Sequence, residues 1–68
     1  MQVTAVLNPA AEGGYTAYNP ETGTVSEGET IEQAIANLRE AVELYLGEFP
    51  LLTSGAPVVT TFTVLENA

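Results

Sequence analysis

The 68-residue sequence predicts an α+β domain with the element order β-β-β-α-β. Three observations predict it: a loosely alternating apolar pattern near the N-terminus, an amphipathic stripe in the middle of the chain, and a β-branched run near the C-terminus. A chain of this length is typical of one domain, so we assign residues 1–68 to a single unit. We expect a four-stranded mixed sheet with the helix on one face, because one helix covers only one side of such a sheet.

Turn-forming residues separate three predicted strands in the first half of the chain. The strands are predicted over residues 2–7, 15–19 and 24–26, and the connections over residues 8–14 and 19–23. Both connections contain Pro and Gly, which favour turns. Tyr15 and Tyr18 lie on opposite faces of the second strand, so only one of them faces the helix. The pattern alone does not decide which.

A helix is predicted over residues 31–46. Its apolar residues recur at three- and four-residue steps: Ile31, Ala34, Ile35, Leu38, Ala41, Val42, Tyr45 and Leu46. Thr30 and Gln33 form a capping box at its start. We expect Gly47 to be its C-cap and Pro50 to prevent it from resuming. The stripe is expected to pack into the core, Tyr45 included.

Residues 58–65 form the predicted fourth strand. This run is β-branched and aromatic, and apolar residues fall on both of its sides, which is typical of a strand covered on both faces. One helix leaves the other sheet face either solvated or in contact with a partner, and the apolar residues on both sides of the last strand favour a partner. The chain has no cysteine or histidine to stabilise so small a domain through disulfides or zinc, and 46% of its residues are hydrophobic. We therefore expect a homodimer or a higher homo-oligomer.

The charge balance restricts the possible partners. The chain contains nine glutamates and one arginine, Arg39, and its net charge is −8. Binding of nucleic acid needs several basic residues, and an anionic membrane surface is disfavoured for the same reason. The sequence shows no membrane span and no basic signal-peptide start, so we expect a cytoplasmic protein. A basic protein partner would be attracted. The alternative is that the glutamates serve only solubility.

The side chains needed for most enzymes are missing. The chain has no histidine, cysteine or lysine, and Ser26 and Ser54 have no basic partner to activate them. A pair of loop glutamates is the remaining candidate for acid–base chemistry, but so short a chain builds no deep cleft that would raise a carboxyl pKa. Their spacing also matches no calcium loop. We predict that the protein is not an enzyme, holds no metal or cofactor, and acts by binding another protein.

The residues predicted to contact a partner are acidic loop side chains and two strand tyrosines. They are Glu12, Tyr15, Tyr18, Glu21, Glu27 and Glu29. Tyrosine carries a polar tip on an apolar body and is enriched at interfaces. The alternative for the tyrosines is that they pack the core with their hydroxyls at its edge.

Several short motifs together resemble those of the HicB antitoxin family. They are Glu12-Gly13-Gly14-Tyr15-Thr16-Ala17-Tyr18, then Pro20-Glu21 with Gly23, then Glu27-Gly28-Glu29-Thr30-Ile31-Glu32-Gln33-Ala34, and finally Asn37, Glu40-Ala41 and Tyr45-Leu46. Each motif is common by itself, but their order and spacing are fairly specific. The resemblance extends over about residues 2–46. The turn at residues 20–23 is one residue shorter than usual for the family, and Gln33 stands where the family often has Glu.

The resemblance implies a partial RNase-H-like fold in which the last strand runs parallel to the first. It also implies an antitoxin that neutralises HicA, a small basic toxin that cleaves mRNA. Nuclease activity is not implied, because that chemistry needs clustered carboxylates and residues 1–8 contain no acid. HicB antitoxins usually carry an additional DNA-binding segment; we expect none here, and therefore no operator binding. The alternative is an orphan homo-oligomeric interaction module of the same fold without a toxin partner.

Overall fold

The computed structural model describes residues 1–51 and 57–67 and shows three strands followed by one helix. The elements are β1 (Val6–Pro9), β2 (Tyr15–Asn19), β3 (Thr24–Gly28) and α1 (Ile31–Glu48). The strands form an antiparallel sheet in the order β1-β2-β3. The helix packs against β3 and, over a smaller area, against β2. The predicted α+β class is confirmed.

The register of the sheet determines which side chains face the helix. Leu7 on β1 pairs with Ala17 on β2, and Ala17 pairs with Ser26 on β3. Ala17 is fully buried, so this row lies under α1. Tyr15 lies two residues before Ala17 and shares its face, where it packs against the core. Tyr15 is therefore the tyrosine that faces the helix.

The core of the described residues is small. Its buried apolar residues are Ala17, Ala34, Leu38 and Val42, with Leu7, Tyr15 and Leu46 packed against them. The three helical members recur every four residues, as the predicted stripe requires. The core thus lies between β2 and the middle of α1.

The other sheet face carries no helix. Tyr18 pairs with Val6 on one side and with Val25 on the other. Tyr18 is 42% exposed and Val25 is 63% exposed. We call this apolar row, made of Val6, Tyr18 and Val25, the open-face row.

The boundaries of two strands differ from the prediction. β1 starts at Val6 and continues through Pro9, whereas the sequence predicted a strand over 2–7 and a connection from residue 8. Proline is tolerated there because β1 is an edge strand. β3 extends to Gly28 and not only to Ser26. The ends of a strand depend on which residues of the neighbouring strand pair with it, and a local sequence pattern carries no information about that pairing.

The helix begins as predicted. The Oγ1 atom of Thr30 accepts a hydrogen bond from the backbone N–H of Gln33 at 3.0 Å. In return, the Gln33 Oε1 atom accepts one from the N–H of Glu29 at 2.7 Å. The first bond satisfies one of the backbone donors that a helix start leaves free, and the second holds the residue before the N-cap against the first turn.

The helix ends later than predicted. Gly47 lies inside α1, and the C-cap is Phe49, whose N–H donates to the Tyr45 carbonyl at 2.8 Å. The prediction of Gly47 as C-cap is wrong, because an extended residue before Pro50 ends the helix without a left-handed one. The placement of Tyr45 in the core is also wrong. Tyr45 is 37% exposed and its ring lies 5.0 Å from that of Phe49.

Residues 57–67 form no strand in the structure. Three apolar residues of this segment, Val58, Phe62 and Leu65, are 91%, 85% and 94% exposed. The predicted fourth strand and mixed sheet are therefore not confirmed, since the sheet of the described residues has three antiparallel strands. An alternating pattern becomes a strand only where it finds an edge to pair with. Residues 52–56, which include Ser54, lie outside the described residues.

No helix within the described part of the chain is long and apolar enough to cross a membrane.

Candidate functional site

Four of the six predicted contact residues line one open depression of about 600 Å³. It lies where the β1–β2 loop, the end of β3 and the first turns of α1 meet. We call it the acidic end, and its predicted members are Glu12, Tyr15, Glu27 and Glu29. All three glutamates are exposed, whereas Tyr15 is half-buried. Gln33 and Asn37 from the helix also line it.

The β1–β2 loop that carries Glu12 is folded tightly. The Ala10 N–H donates to the Gly14 carbonyl at 2.9 Å, and the Gly13 N–H donates to the Ala10 carbonyl at 3.1 Å. Gly13 and Gly14 have φ values of +101° and +76°, a region that other residues rarely adopt. The loop also packs closely on β3, because a Cβ atom at Gly14 would lie 2.6 Å from the Gly28 carbonyl oxygen. The position of Glu12 is therefore held by backbone contacts.

The end of β3 contacts the helix directly. A Cβ atom at Gly28 would lie 2.8 Å from the Gln33 carbonyl carbon and 2.9 Å from the Ala34 Cα atom. The Asn37 Nδ2 atom donates to the Glu27 carbonyl at 2.7 Å, which joins the same two elements. Glu27 and Glu29 thus flank a backbone segment that is fixed on the helix.

The acidic end has the chemistry of a site for cations or basic side chains. Its three carboxylates are exposed, and no basic residue lines it. Carboxylates accept paired hydrogen bonds from arginine, and a charge-assisted hydrogen bond is roughly twice as strong as a neutral one. Within residues 1–51 and 57–67, no three acidic, histidine or cysteine side chains are grouped as a metal site requires.

Glu21 lies at the opposite end of the sheet and takes part in a hydrogen-bond network. Its carboxylate accepts from the Thr4 N–H at 3.0 Å, from the Thr4 hydroxyl at 2.8 Å and from Asn19 Nδ2 at 2.7 Å. Asn19 Nδ2 also donates to the Thr4 carbonyl at 2.7 Å. These bonds attach the residues before β1 to the β2–β3 turn. Glu21 is thus not part of the acidic end.

The network also changes the acidity of Glu21. Burial raises the pKa of its carboxyl, but the hydrogen bonds from Thr4 and Asn19 outweigh burial and lower that pKa below its ordinary value of 4.5. Asn19 is fully buried, and its Oδ1 accepts from the Thr22 N–H at 2.9 Å and from the Thr22 hydroxyl at 2.6 Å. The charged form of Glu21 is therefore the one that the fold stabilises.

Tyr18 does not line the acidic end. It belongs to the open-face row, on the bare side of the sheet. Glu27 pairs with Thr16, two positions along from the pair of Tyr18 with Val25. Glu27 and Tyr18 are therefore diagonal neighbours on the same face. An apolar row thus borders the acidic end on the bare side of the sheet.

The sequence of this chain matches known proteins of one family. A UPF0150 protein from Helicobacter pylori is 45% identical over 49 residues, which cover 71% of this chain and 67% of that protein. The chain belongs to the UPF0150 family. Two UPF0150 proteins from Synechocystis sp. are 46% and 41% identical over 44 residues each, and these matches cover 56% and 61% of the two proteins. The chain thus spans less than two thirds of either Synechocystis protein. No family model and no solved structure matches it.

Sequence reasoning missed two parts of this UPF0150 protein that position its surfaces. One is the contact of Gly28 with the helix, which joins residues that no local pattern relates. The other is the network around Asn19, where the available signal was an Asn followed by Pro at a turn. Asn at such a position commonly accepts hydrogen bonds from the backbone that follows it.

Proposed function

We propose that this UPF0150 protein is a HicB-like antitoxin module that binds and neutralises a small basic mRNA-cleaving toxin of the HicA type. One observation carries the proposal. Glu12, Glu27 and Glu29 surround a single open depression, on backbone held by the helix and the β1–β2 loop. The protein would act in the cytoplasm by contact alone, without nucleic acid, metal or cofactor.

Electrostatics supports a basic partner. A net charge of −8 on 68 residues attracts a basic protein over long distances and raises the rate of encounter. The backbone that carries these carboxylates is already held, so little loop ordering remains to be lost on binding. The open-face row, with Tyr18 at its centre, supplies apolar area beside the charges. Apolar area bordered by charged groups is the usual composition of a protein interface.

The proposal includes a fourth strand. Residues 58–65 have the alternating β-branched pattern of a strand, and the outer edge of β1 is unpaired within the described sheet. Pairing of such a segment beside β1 and parallel to it, whether the same chain or a second copy supplies it, would complete the partial RNase-H-like sheet that the HicB resemblance implies.

The test is rescue from a toxin. The gene beside the one for this protein is inspected for a short basic protein, and the two are expressed together in bacteria. We expect the basic protein alone to stop growth and co-expression to restore it. If co-expression leaves growth arrested, the antitoxin proposal is wrong.

A matched pair of variants tests the site. The variant with Glu12→Gln, Glu27→Gln and Glu29→Gln should bind the toxin at least tenfold more weakly by isothermal titration calorimetry. The control replaces three exposed glutamates that line neither the acidic end nor any other described depression, Glu32, Glu40 and Glu48, and changes the net charge equally. Its affinity should fall by no more than about threefold, as expected for charges outside an interface. Equal losses in both variants would show that net charge alone, and not the acidic end, attracts the partner.

The second candidate function is an orphan module that assembles only with itself. The exposure of Val58, Phe62 and Leu65 favours it, because monomeric proteins rarely expose so many large apolar side chains in one segment. A chain that forms a stable oligomer, has no basic neighbour and rescues no toxin would fit this function.

A further inference from the structure

An apolar groove of about 440 Å³ separates the start of the chain from the helix. Val3 and Ala5 form one wall, and Ile35, Leu38 and Val42 of α1 form the other. The groove shares no residue with the acidic end.

The groove exists because the helix is placed off the centre of the sheet. α1 packs on β3 and β2 and leaves the area beside β1 uncovered. Val3 and Ala5 lie four and two residues before Leu7, and they face the helix as Leu7 does, since alternate residues along a strand share a face. The hydrogen bonds of Thr4 to Glu21 and Asn19 hold this run in place without a strand partner. The groove is therefore already formed in the single chain.

One segment of the chain has the properties that this groove requires. Residues 58–65 carry no charge, and their β-branched and aromatic side chains alternate along the segment. In the structure they are exposed, Phe62 by 85% and Leu65 by 94%, so they are not packed in the groove of their own chain. The groove and the segment are two complementary apolar surfaces that the single chain leaves uncovered.

We propose that residues 58–65 of a second copy occupy this groove and pair with the free edge of β1, and that the exchange is reciprocal. Reciprocal exchange gives a closed two-fold dimer with two identical contacts. The segment is uncharged, so it brings no charge of its own into the contact between two chains that each carry a net charge of −8. Arg39, the single basic residue, lines the groove together with Glu43, and Glu66 follows the segment directly, so Arg39 is the residue available to pair with Glu66 of the second copy.

The inference concerns assembly and does not depend on toxin binding, because the groove shares no residue with the acidic end. It specifies which chain supplies the fourth strand. It gives the predicted homodimer a specific interface. It also accounts for the small core, because burial of Phe62 and its neighbours in the groove would extend the row of Leu38 and Val42.

Disulfide trapping tests the exchange, since the native chain contains no cysteine. Chains carrying only Val3→Cys are mixed with chains carrying only Val58→Cys, Thr60→Cys or Phe62→Cys, so that the set covers neighbouring registers. We expect at least one pair to form a disulfide-linked heterodimer in high yield. The control is Glu12→Cys with the same three partners, which should link only at background level.

Two results would overturn the proposal. One is a protein that sediments as a monomer at about 100 µM in sedimentation equilibrium. The other is a chain carrying both Val3→Cys and Phe62→Cys that closes an internal disulfide while remaining monomeric, because the segment would then occupy its own groove.

A single substitution separates assembly from toxin binding. Phe62→Asp places a charge in the groove and should weaken dimerisation at least tenfold, while circular dichroism retains the helix signal because Phe62 is exposed within its own chain. A Phe62→Asp chain that still dimerises like the parent would refute the groove as the interface. Loss of dimerisation with unchanged toxin affinity would support both proposals separately.

Discussion

The contact between Gly28 and the helix gives the sharpest prediction about stability. In Gly28→Ala the new Cβ atom would lie 2.8 Å from the Gln33 carbonyl carbon, 2.9 Å from the Ala34 Cα atom and still closer to the Ala34 nitrogen. All three are helix backbone atoms, so no side-chain rotation relieves the overlap. Ordinary contact begins near 3.4 Å, and the first turn of α1 must therefore move by roughly half an ångström or more away from β3.

The expected cost is large for a domain of this size. Overpacking a well-packed site costs about 1–3 kcal/mol. Because the overlapping atoms belong to the helix backbone and cannot rotate away, we expect Gly28→Ala to cost about 3 kcal/mol, the upper end of that range. A 68-residue domain at about 0.05–0.15 kcal/mol per residue is stable by only about 3–10 kcal/mol in total. The variant should thus lose a third or more of its stability.

Urea unfolding followed by far-ultraviolet circular dichroism measures this loss. The matched control is Gly47→Ala, the same substitution at a helical glycine that has no neighbouring atom within 4 Å of the new Cβ. Alanine favours a helix over glycine by about 0.8–1.0 kcal/mol in its interior, so Gly47→Ala should stabilise the protein by up to that amount. If Gly28→Ala unfolds at the same urea concentration as the parent, β3 and α1 do not approach as closely as described.

Three further substitutions test the network and the helix start. The Glu21→Gln variant should lose less stability in acid than the parent does. The pKa of Glu21 in the folded protein lies below 4.5, so its charged carboxylate stabilises the fold above pH 4.5. In the parent this contribution disappears as the pH falls through the folded pKa, whereas the variant has no such group to protonate. Urea midpoints between pH 2.5 and 7 measure it, and parallel curves for parent and variant would contradict it. Asn19→Ala should cost about 2 kcal/mol, because it leaves the Thr22 N–H without its acceptor and opens space at a fully buried position; a thermal melt unchanged within 2 °C would contradict this. Thr30→Ala should cost about 1 kcal/mol through loss of the N-cap and Thr30→Ser should restore it, both read from the urea midpoint; no difference between the two would contradict a capping role.

Local chemistry was sufficient to predict the middle of the fold. β2 was predicted over the residues that form it, because an alternating run lies between two glycine-containing turns. The start of α1 was predicted from Thr30 and Gln33, whose hydrogen bonds involve only neighbouring residues. Propensity and capping act over a few residues, and these elements needed nothing more.

What the sequence did not reveal depends on distant residues. β1 extends to Pro9 because β2 lies beside it, and residues 58–65 form no strand in the described structure, where they pair with no sheet edge. The helix passes Gly47 because Phe49 and not glycine provides its cap. At the candidate site, Glu12, Tyr15, Glu27 and Glu29 meet as a surface, whereas Glu21 was assigned from its charge alone. Its bonds to Thr4 join residues 17 positions apart.

The distribution of charge along α1 gives the protein two opposite responses to salt. Glu32 lies in the first turn, where the helix dipole favours it, but the last turn has no basic residue and ends at Glu48. Repulsion at that end, together with a net charge of −8, destabilises the fold in dilute buffer, and dissolved cations screen it. Added potassium chloride should therefore raise the unfolding midpoint. Under the proposed function, the same ions would weaken the attraction to a basic partner, so the salt concentrations that most stabilise the fold would be those at which the partner binds least tightly.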